Sequence, residues 1–108
     1  MAVSDDYLEY VLDQLSAWGG VSARRMFGGV GLYRDEKVFG LVADNVLYLK
    51  VDETNRDRFL EAGSAAFRPF EDRPTIMSYF GIPPDILENP GRLIEWSEES
   101  LLIQKRRR

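Results

Sequence analysis

Between Ala23 and Val51 the chain falls into short runs rich in Val, Leu, Phe and Tyr, separated by Asp35-Glu36 and Asp44-Asn45. Acidic and amide side chains tolerate the left-handed backbone of a tight turn, so this pattern predicts a three-stranded antiparallel meander. In the last run Leu47, Leu49 and Val51 share one face, while Val46, Tyr48 and Lys50 share the other. The first face reads as core and the second as half-exposed. The middle run, VFGLVA from Val38 to Ala43, is apolar on both faces. Its far side therefore requires a cover, and a second copy of the chain would supply one.

Helices are expected on either side of this meander. Ser4 precedes Asp5 and Asp6, and Tyr7, Leu8, Val11, Leu12 and Leu15 repeat at helical spacing as far as Gly19-Gly20, which stops the helix near Trp18. Asp52 is placed to cap a second helix that runs through Arg56, Phe59 and Leu60 to Gly63. Two further runs, AAFRPF and TIMSYF, read as strands, and Pro69 restricts the first to an edge or an irregular end. Pro83-Pro84 forbids a continued strand and suits a single helical turn. Asn89-Pro90 opens a final helix in which Leu93, Trp96, Ser100 and Ile103 form one stripe. The expected order is α-βββ-α-ββ-α, one α+β domain over residues 1–108 in two layers, helices against an antiparallel sheet.

Composition narrows the chemistry. Histidine and cysteine are both absent from the 108 residues. That removes the commonest general base, the commonest transition-metal ligand, thiolate chemistry and disulfides. The start, MAVSDDYLEY, has no basic region followed by an apolar run, and no stretch is apolar enough to span a bilayer, so a cytoplasmic location is expected. The net charge of −4 hides an asymmetry, because Lys105, Arg106, Arg107 and Arg108 are all basic and the remainder carries −8. Most of the surface should repel nucleic acid, which leaves direct DNA binding to a local patch.

Four features are candidate sites. The stretch RRMFGGVGLY, Arg24 to Tyr33, places glycines behind two arginines. A P-loop would need a lysine after the last glycine, and a dinucleotide fingerprint would need a third glycine where Arg34 stands. The glycines read instead as a bulge or a close backbone approach. Arg24 and Arg25 are candidate anion contacts, but neighbours on a strand point to opposite faces, so solvation or internal pairing is the competing reading. The basic end, Lys105 to Arg108, could contact nucleic acid or could be a frayed tail that complements the helix dipole. The carboxylates Asp44, Asp52, Glu71 and Asp72 fall at turns and caps. No catalytic constellation, cofactor motif or metal-ligand spacing emerges.

A further signal is an ordered set of aromatic and glycine positions. Met26-Phe27-Gly28-Gly29 with Gly31 and Tyr33, then Phe39, Leu47-Tyr48-Leu49-Lys50, Phe59, Gly63, Phe67, Met77-Ser78-Tyr79, Pro83 and Trp96 resemble the N-terminal domain of the TfoX/Sxy family. The resemblance implies a fold similar to the secretion-chaperone-like class, whose members often pair as homodimers. It further implies a regulatory domain. In the best-known members this domain belongs to a positive regulator of bacterial competence genes that works with the cyclic-AMP receptor protein, and is followed by a helical domain suited to DNA. The expected function is thus a non-enzymatic regulatory domain acting through protein partners, transcription machinery among them. A weak nucleic-acid binder using the arginines and a small-molecule sensor with a pocket between helix and sheet stay open as alternatives.

Overall fold

The two acidic turn pairs are where the chain reverses. A computed structural model of the chain describes residues 3–26, 28–68 and 76–106, with the backbone alone for Met26, Ile76 and Met77. In it Asp35 and Glu36 have φ of 53° and 63°, and Asp44 and Asn45 have 51° and 55°. Two consecutive positive φ values match the right-handed twist of the flanking strands, which the more open turn types would splay. Glu36 has no side-chain reason to be left-handed. A glycine there removes about 1–2 kcal/mol of backbone strain and adds about 0.5–1 kcal/mol of unfolded-state entropy. Glu36→Gly is therefore expected to stabilise the domain by about 0.5–1 kcal/mol, read as a higher urea midpoint at unchanged slope.

In chain order the elements are α1 (Asp5–Gln14), β1 (Ser22–Met26), β2 (Gly29–Arg34), β3 (Lys37–Ala43), β4 (Val46–Lys50), α2 (Arg56–Glu61), β5 (Ala66–Phe67), β6 (Ile76–Gly81), α3 (Pro84–Leu87) and α4 (Pro90–Arg106). The strands form one antiparallel sheet in the order β1-β2-β3-β4-β6-β5. The α+β class and the helix-on-sheet layering agree with the sequence. The meander, however, has four strands, because the stretch from Arg24 to Tyr33 is a hairpin. Met26 pairs with Gly29, and Gly28 between them has φ of 80°. Only glycine adopts that value without strain, so Gly28 marks a reversal of the chain and not a kink within one strand.

Three boundaries also differ from expectation. The first helix ends at Gln14, and residues 15–18 form a turn before Gly19 and Gly20, at φ of 76° and 75°. Asp52 does not cap α2; its Oδ1 accepts from the Thr54 N–H at 2.8 Å, while Asn55 Oδ1 accepts from the Asp52 N–H at 2.9 Å. These bonds spend residues 52–55 on a turn, and α2 begins only at Arg56. It ends in a Schellman arrangement, with Gly63 N–H donating to Leu60 O and Ser64 N–H to Phe59 O. Lys105 and Arg106 continue α4 and do not fray, whereas Arg107 and Arg108 lie outside the described residues. Pro69, Glu71 and Asp72 lie outside them too. The short β5 sits at a sheet edge, one of the two placements expected for that run.

One core lies on one side of the sheet. Val30, Leu32, Val42, Leu47, Leu49 and Phe80 face Val11 of α1 and Leu15 of the turn after it, Phe59 of α2, Ile86 of α3, and Leu93, Trp96 and Leu101 of α4. The predicted α4 stripe of Leu93, Trp96, Ser100 and Ile103 is wholly buried. A bulge in β3 completes this face. Leu32 pairs with Gly40 and Tyr33 with Val38, which leaves Phe39 as an extra residue. Strict alternation would put Phe39 and Val42 on opposite faces; with the bulge both point inward and are fully buried.

Candidate functional site

With all four helices contributing to that single core cluster, the opposite face of the sheet carries no helix among the described residues. Register identifies what lines it. Arg24 pairs with Gly31, Gly31 with Leu41, Leu41 with Tyr48, and Tyr48 with Gly81, so these residues form one row across five strands. Tyr33 lies beyond Gly31 on β2, and Lys50 and Tyr79 are paired beyond Tyr48. Five of the motif residues singled out in the sequence, Gly31, Tyr33, Tyr48, Lys50 and Tyr79, thus converge on the helix-free face. Leu41, Tyr48, Tyr33 and Tyr79 are half-buried there, and Val46 is exposed at its rim.

Cations over aromatic rings flank this surface. The Arg24 guanidinium carbon lies 5.0 Å from the Tyr33 ring centroid, and the Lys50 ammonium lies 5.3 Å from that of Tyr79. Between them the Tyr48 ring packs on Phe67 at 4.7 Å. Burial pushes the Tyr48 phenol up from its ordinary value, and the Asp44 carboxylate adds to the shift, so the hydroxyl is a neutral donor at physiological pH. Lys50 departs from its expected half-exposed setting, being only 7% exposed. Its backbone carbonyl accepts from Ser100 Oγ at 2.8 Å and Asn55 Nδ2 at 3.2 Å, which ties β4 to α4 and to the turn before α2. Tyrosine and arginine, with their large rigid area and polar tips, are the residue types that concentrate at protein interface centres.

The candidate anion contacts are not gathered into one patch. Arg24 is on the helix-free face, whereas Arg25 on the other face reaches Asp5 of α1 at 2.7 Å. Lys105 pairs with Asp35 at 2.8 Å and Arg106 with Asp52 at 3.5 Å. Arg34, which occupies the third-glycine position of the incomplete fingerprint, donates through Nε to Gly19 O at 2.8 Å and lies over the Trp18 ring at 4.5 Å. It holds the loop after α1 against the sheet. Of the remaining motif residues, Trp96 is core, packed edge-on against Phe59 at 4.8 Å, and Ser78 contributes its carbonyl to the Val51 N–H at 2.8 Å. Phe27 and the side chains of Met26 and Met77 lie outside the described residues.

The ion pairs at the end of α4 have a pH consequence. The Asp52 carboxyl is held below its ordinary value by the Thr54 hydroxyl bond, with further help from the Thr54 N–H and Arg106. Asp35 is held down by its bond to Lys105 and by that charge. A depressed folded-state value contributes stability above the unfolded value, and that contribution disappears as pH falls through the folded one. Melting temperature should therefore drop as pH falls below about 4, the ordinary carboxylate range, and an Asp35→Asn, Asp52→Asn double variant should drop less over the same range. Equal slopes for the two proteins would contradict this.

Leu41 was not singled out by sequence reasoning beyond its place in the apolar run VFGLVA, and Tyr48 was named in the motif without its neighbours on this face. The signal that could have located them was Gly28-Gly29, a turn dipeptide that makes the preceding run a separate strand and sets the register across the face.

The chain matches the TfoX N-terminal domain family over residues 13–103. It belongs to that family. It is similar to the DNA transformation protein TfoX1 of Aliivibrio fischeri, at 32% identity over 85 residues, covering 77% of this chain and 40% of that protein. It is also similar to an uncharacterized 12.7 kDa protein in the trpE 5′ region of Spirochaeta aurantia, at 41% identity over 59 residues, covering 55% of this chain and 51% of that protein. The matched region thus spans about half or less of these curated relatives. The α+β architecture, a six-stranded antiparallel sheet with four helices among the described residues, is consistent with that family. No helix among the described residues is long and apolar enough to cross a membrane.

Proposed function

We propose that this TfoX N-terminal domain is a non-enzymatic, cytoplasmic regulatory module. It acts by binding proteins through the helix-free face of its sheet. A second copy of the chain is one occupant of that face, paired about a two-fold axis so that the same residues meet from both sides. The observation that carries the reading is the convergence of Gly31, Tyr33, Lys50 and Tyr79 with Leu41 and Tyr48 on a face where no described helix packs. Their chemistry, apolar at the centre with aromatic and cationic groups around it, suits a protein partner better than a reaction.

The relative from A. fischeri is named for DNA transformation. By that kinship we extend to this chain a regulatory role in competence, exercised through contacts with transcription machinery. The absence of histidine and cysteine from the chain favours a binding role, and a catalytic activity that vanished with a single side chain would overturn it. The face is tested by a charge at its centre. Leu41→Glu is expected to convert a dimer to a monomer while leaving the fold intact, because Leu41 points away from the core. If the variant and the parent have the same mass, the face is not the interface between copies.

A further inference from the structure

The central row of the helix-free face reads Arg24, Gly31, Leu41, Tyr48 and Gly81, with β3 in the middle. Two residues along in one direction, Gly29 of β2 and Val46 of β4 fall level with Ala43 of β3. Two residues along in the other, Tyr33 of β2 and Lys50 of β4 fall at the Val38 end. Because β2 and β4 both run antiparallel to β3, they are parallel to each other. The series Gly29, Gly31, Tyr33 on one flank of β3 is therefore matched step for step by Val46, Tyr48, Lys50 on the other.

Backbone conformation does not explain the two glycines in this series. Of Gly28, Gly29 and Gly31, only Gly28 has a positive φ. Gly29 and Gly31 are ordinary residues of β2, where glycine weakens the strand and marks the close approach of another group. At the matching positions on β4, Val46 is 36% exposed and the Tyr48 ring is half-buried against Phe67. Over these two steps one flank of β3 carries no side chain, and the other carries an aliphatic group and a ring.

We propose that the occupant of this face is a second copy of the chain whose two-fold axis runs along β3, which rests on the protein-binding reading of the face given above. Rotation about that line sets β4 of one copy against β2 of the other. Tyr48 then lies on Gly31 of the other copy, Val46 on Gly29 and Arg24 on Gly81, while Leu41 and Val38 meet their own counterparts on the axis. Lys50 falls opposite Tyr33, a cation against an aromatic ring. A two-fold along the central row would instead set Arg24 against Arg24 and Tyr48 against Tyr48, with Gly31 over Gly31. That arrangement opposes like charges and stacks bulk on bulk beside a void, where packed interfaces match charge and fill space. Both axes keep the strands of the two sheets aligned, so the side chains decide between them.

The test uses single-cysteine variants of the full chain, which has no cysteine of its own, treated with the shortest bifunctional methanethiosulfonate and compared with sedimentation of the parent. Leu41→Cys and Val38→Cys lie on the axis and are expected to link into covalent dimers. Arg24→Cys, an exposed position on the edge strand, is expected to stay a single chain. Linking at Arg24→Cys, or none at Val38→Cys, would overturn the axis along β3; if Leu41→Cys still links, the face remains the interface between copies. A dimeric parent with no linking at any of the three positions would overturn the face as that interface too, and so would a monomeric parent. Without cross-linking, Gly31→Val should raise the dimer dissociation constant ~10-fold or more at unchanged circular dichroism. An unchanged constant would contradict the seating of Tyr48 on Gly31.

Discussion

Phe59→Ala is expected to cost about 4 kcal/mol. Phe59 is 1% exposed and packs edge-on against Trp96 at 4.8 Å and tilted against Phe80 at 6.2 Å. It is the aromatic contact through which α2 holds both α4 and β6. Removing the ring loses its transfer free energy and leaves a cavity that these two elements, each fixed by other contacts, cannot close. A domain of this size has about 5–15 kcal/mol of stability in total, so the variant should be partly unfolded at physiological temperature. Urea denaturation followed by far-ultraviolet circular dichroism measures the change directly. A loss below about 1.5 kcal/mol would mean that the α2–α4 contact is not packed as described.

Gly40→Ala should cost about 2–3 kcal/mol, although it adds a single methyl group. A Cβ on Gly40 would lie 2.7 Å from the Tyr48 carbonyl oxygen and 3.1 Å from Leu49 Cδ2. The first contact is with backbone, in the strand to which Gly40 is itself paired, so relief requires β3 and β4 to separate. Gly40 also adjoins the bulge that directs both Phe39 and Val42 into the core. The melting temperature should fall by about 4–8 °C for each kcal/mol lost. Gly63 serves as the contrasting position, since a Cβ there meets nothing within 4 Å and only its φ of 80° opposes the change. If Gly40→Ala cost no more than Gly63→Ala, close strand approach would not be the reason for glycine at position 40.

The elements legible in the sequence were those whose ends carry local chemistry. Ser4 accepts from the Tyr7 N–H at 3.1 Å, and Asn89 Oδ1 accepts from the Arg92 N–H at 3.2 Å, so both long helices begin where their caps predict. The acidic turns read correctly because a two-residue reversal needs residues that tolerate positive φ. The hairpin at Gly28 did not, since a glycine among apolar residues fits either a bulge or a turn, and the choice depends on which strand pairs across it. Asp52 was misread for a related reason. A carboxylate before a helical run is a cap only if no nearer donor takes it, and Thr54 does. The helix-free face was partly foreseen, in that VFGLVA was apolar on both sides. Its membership was not, because the row from Arg24 to Gly81 joins residues up to 57 positions apart through long-range register.

The account rests on that face being a protein-binding surface, and sedimentation equilibrium of the parent chain beside Leu41→Glu tests it most directly. At micromolar concentration the parent should have twice the 12.4 kDa chain mass, and the variant, with unchanged circular dichroism, a single chain mass. A parent that stays monomeric throughout that range, or a Leu41→Glu variant that remains dimeric, would contradict it.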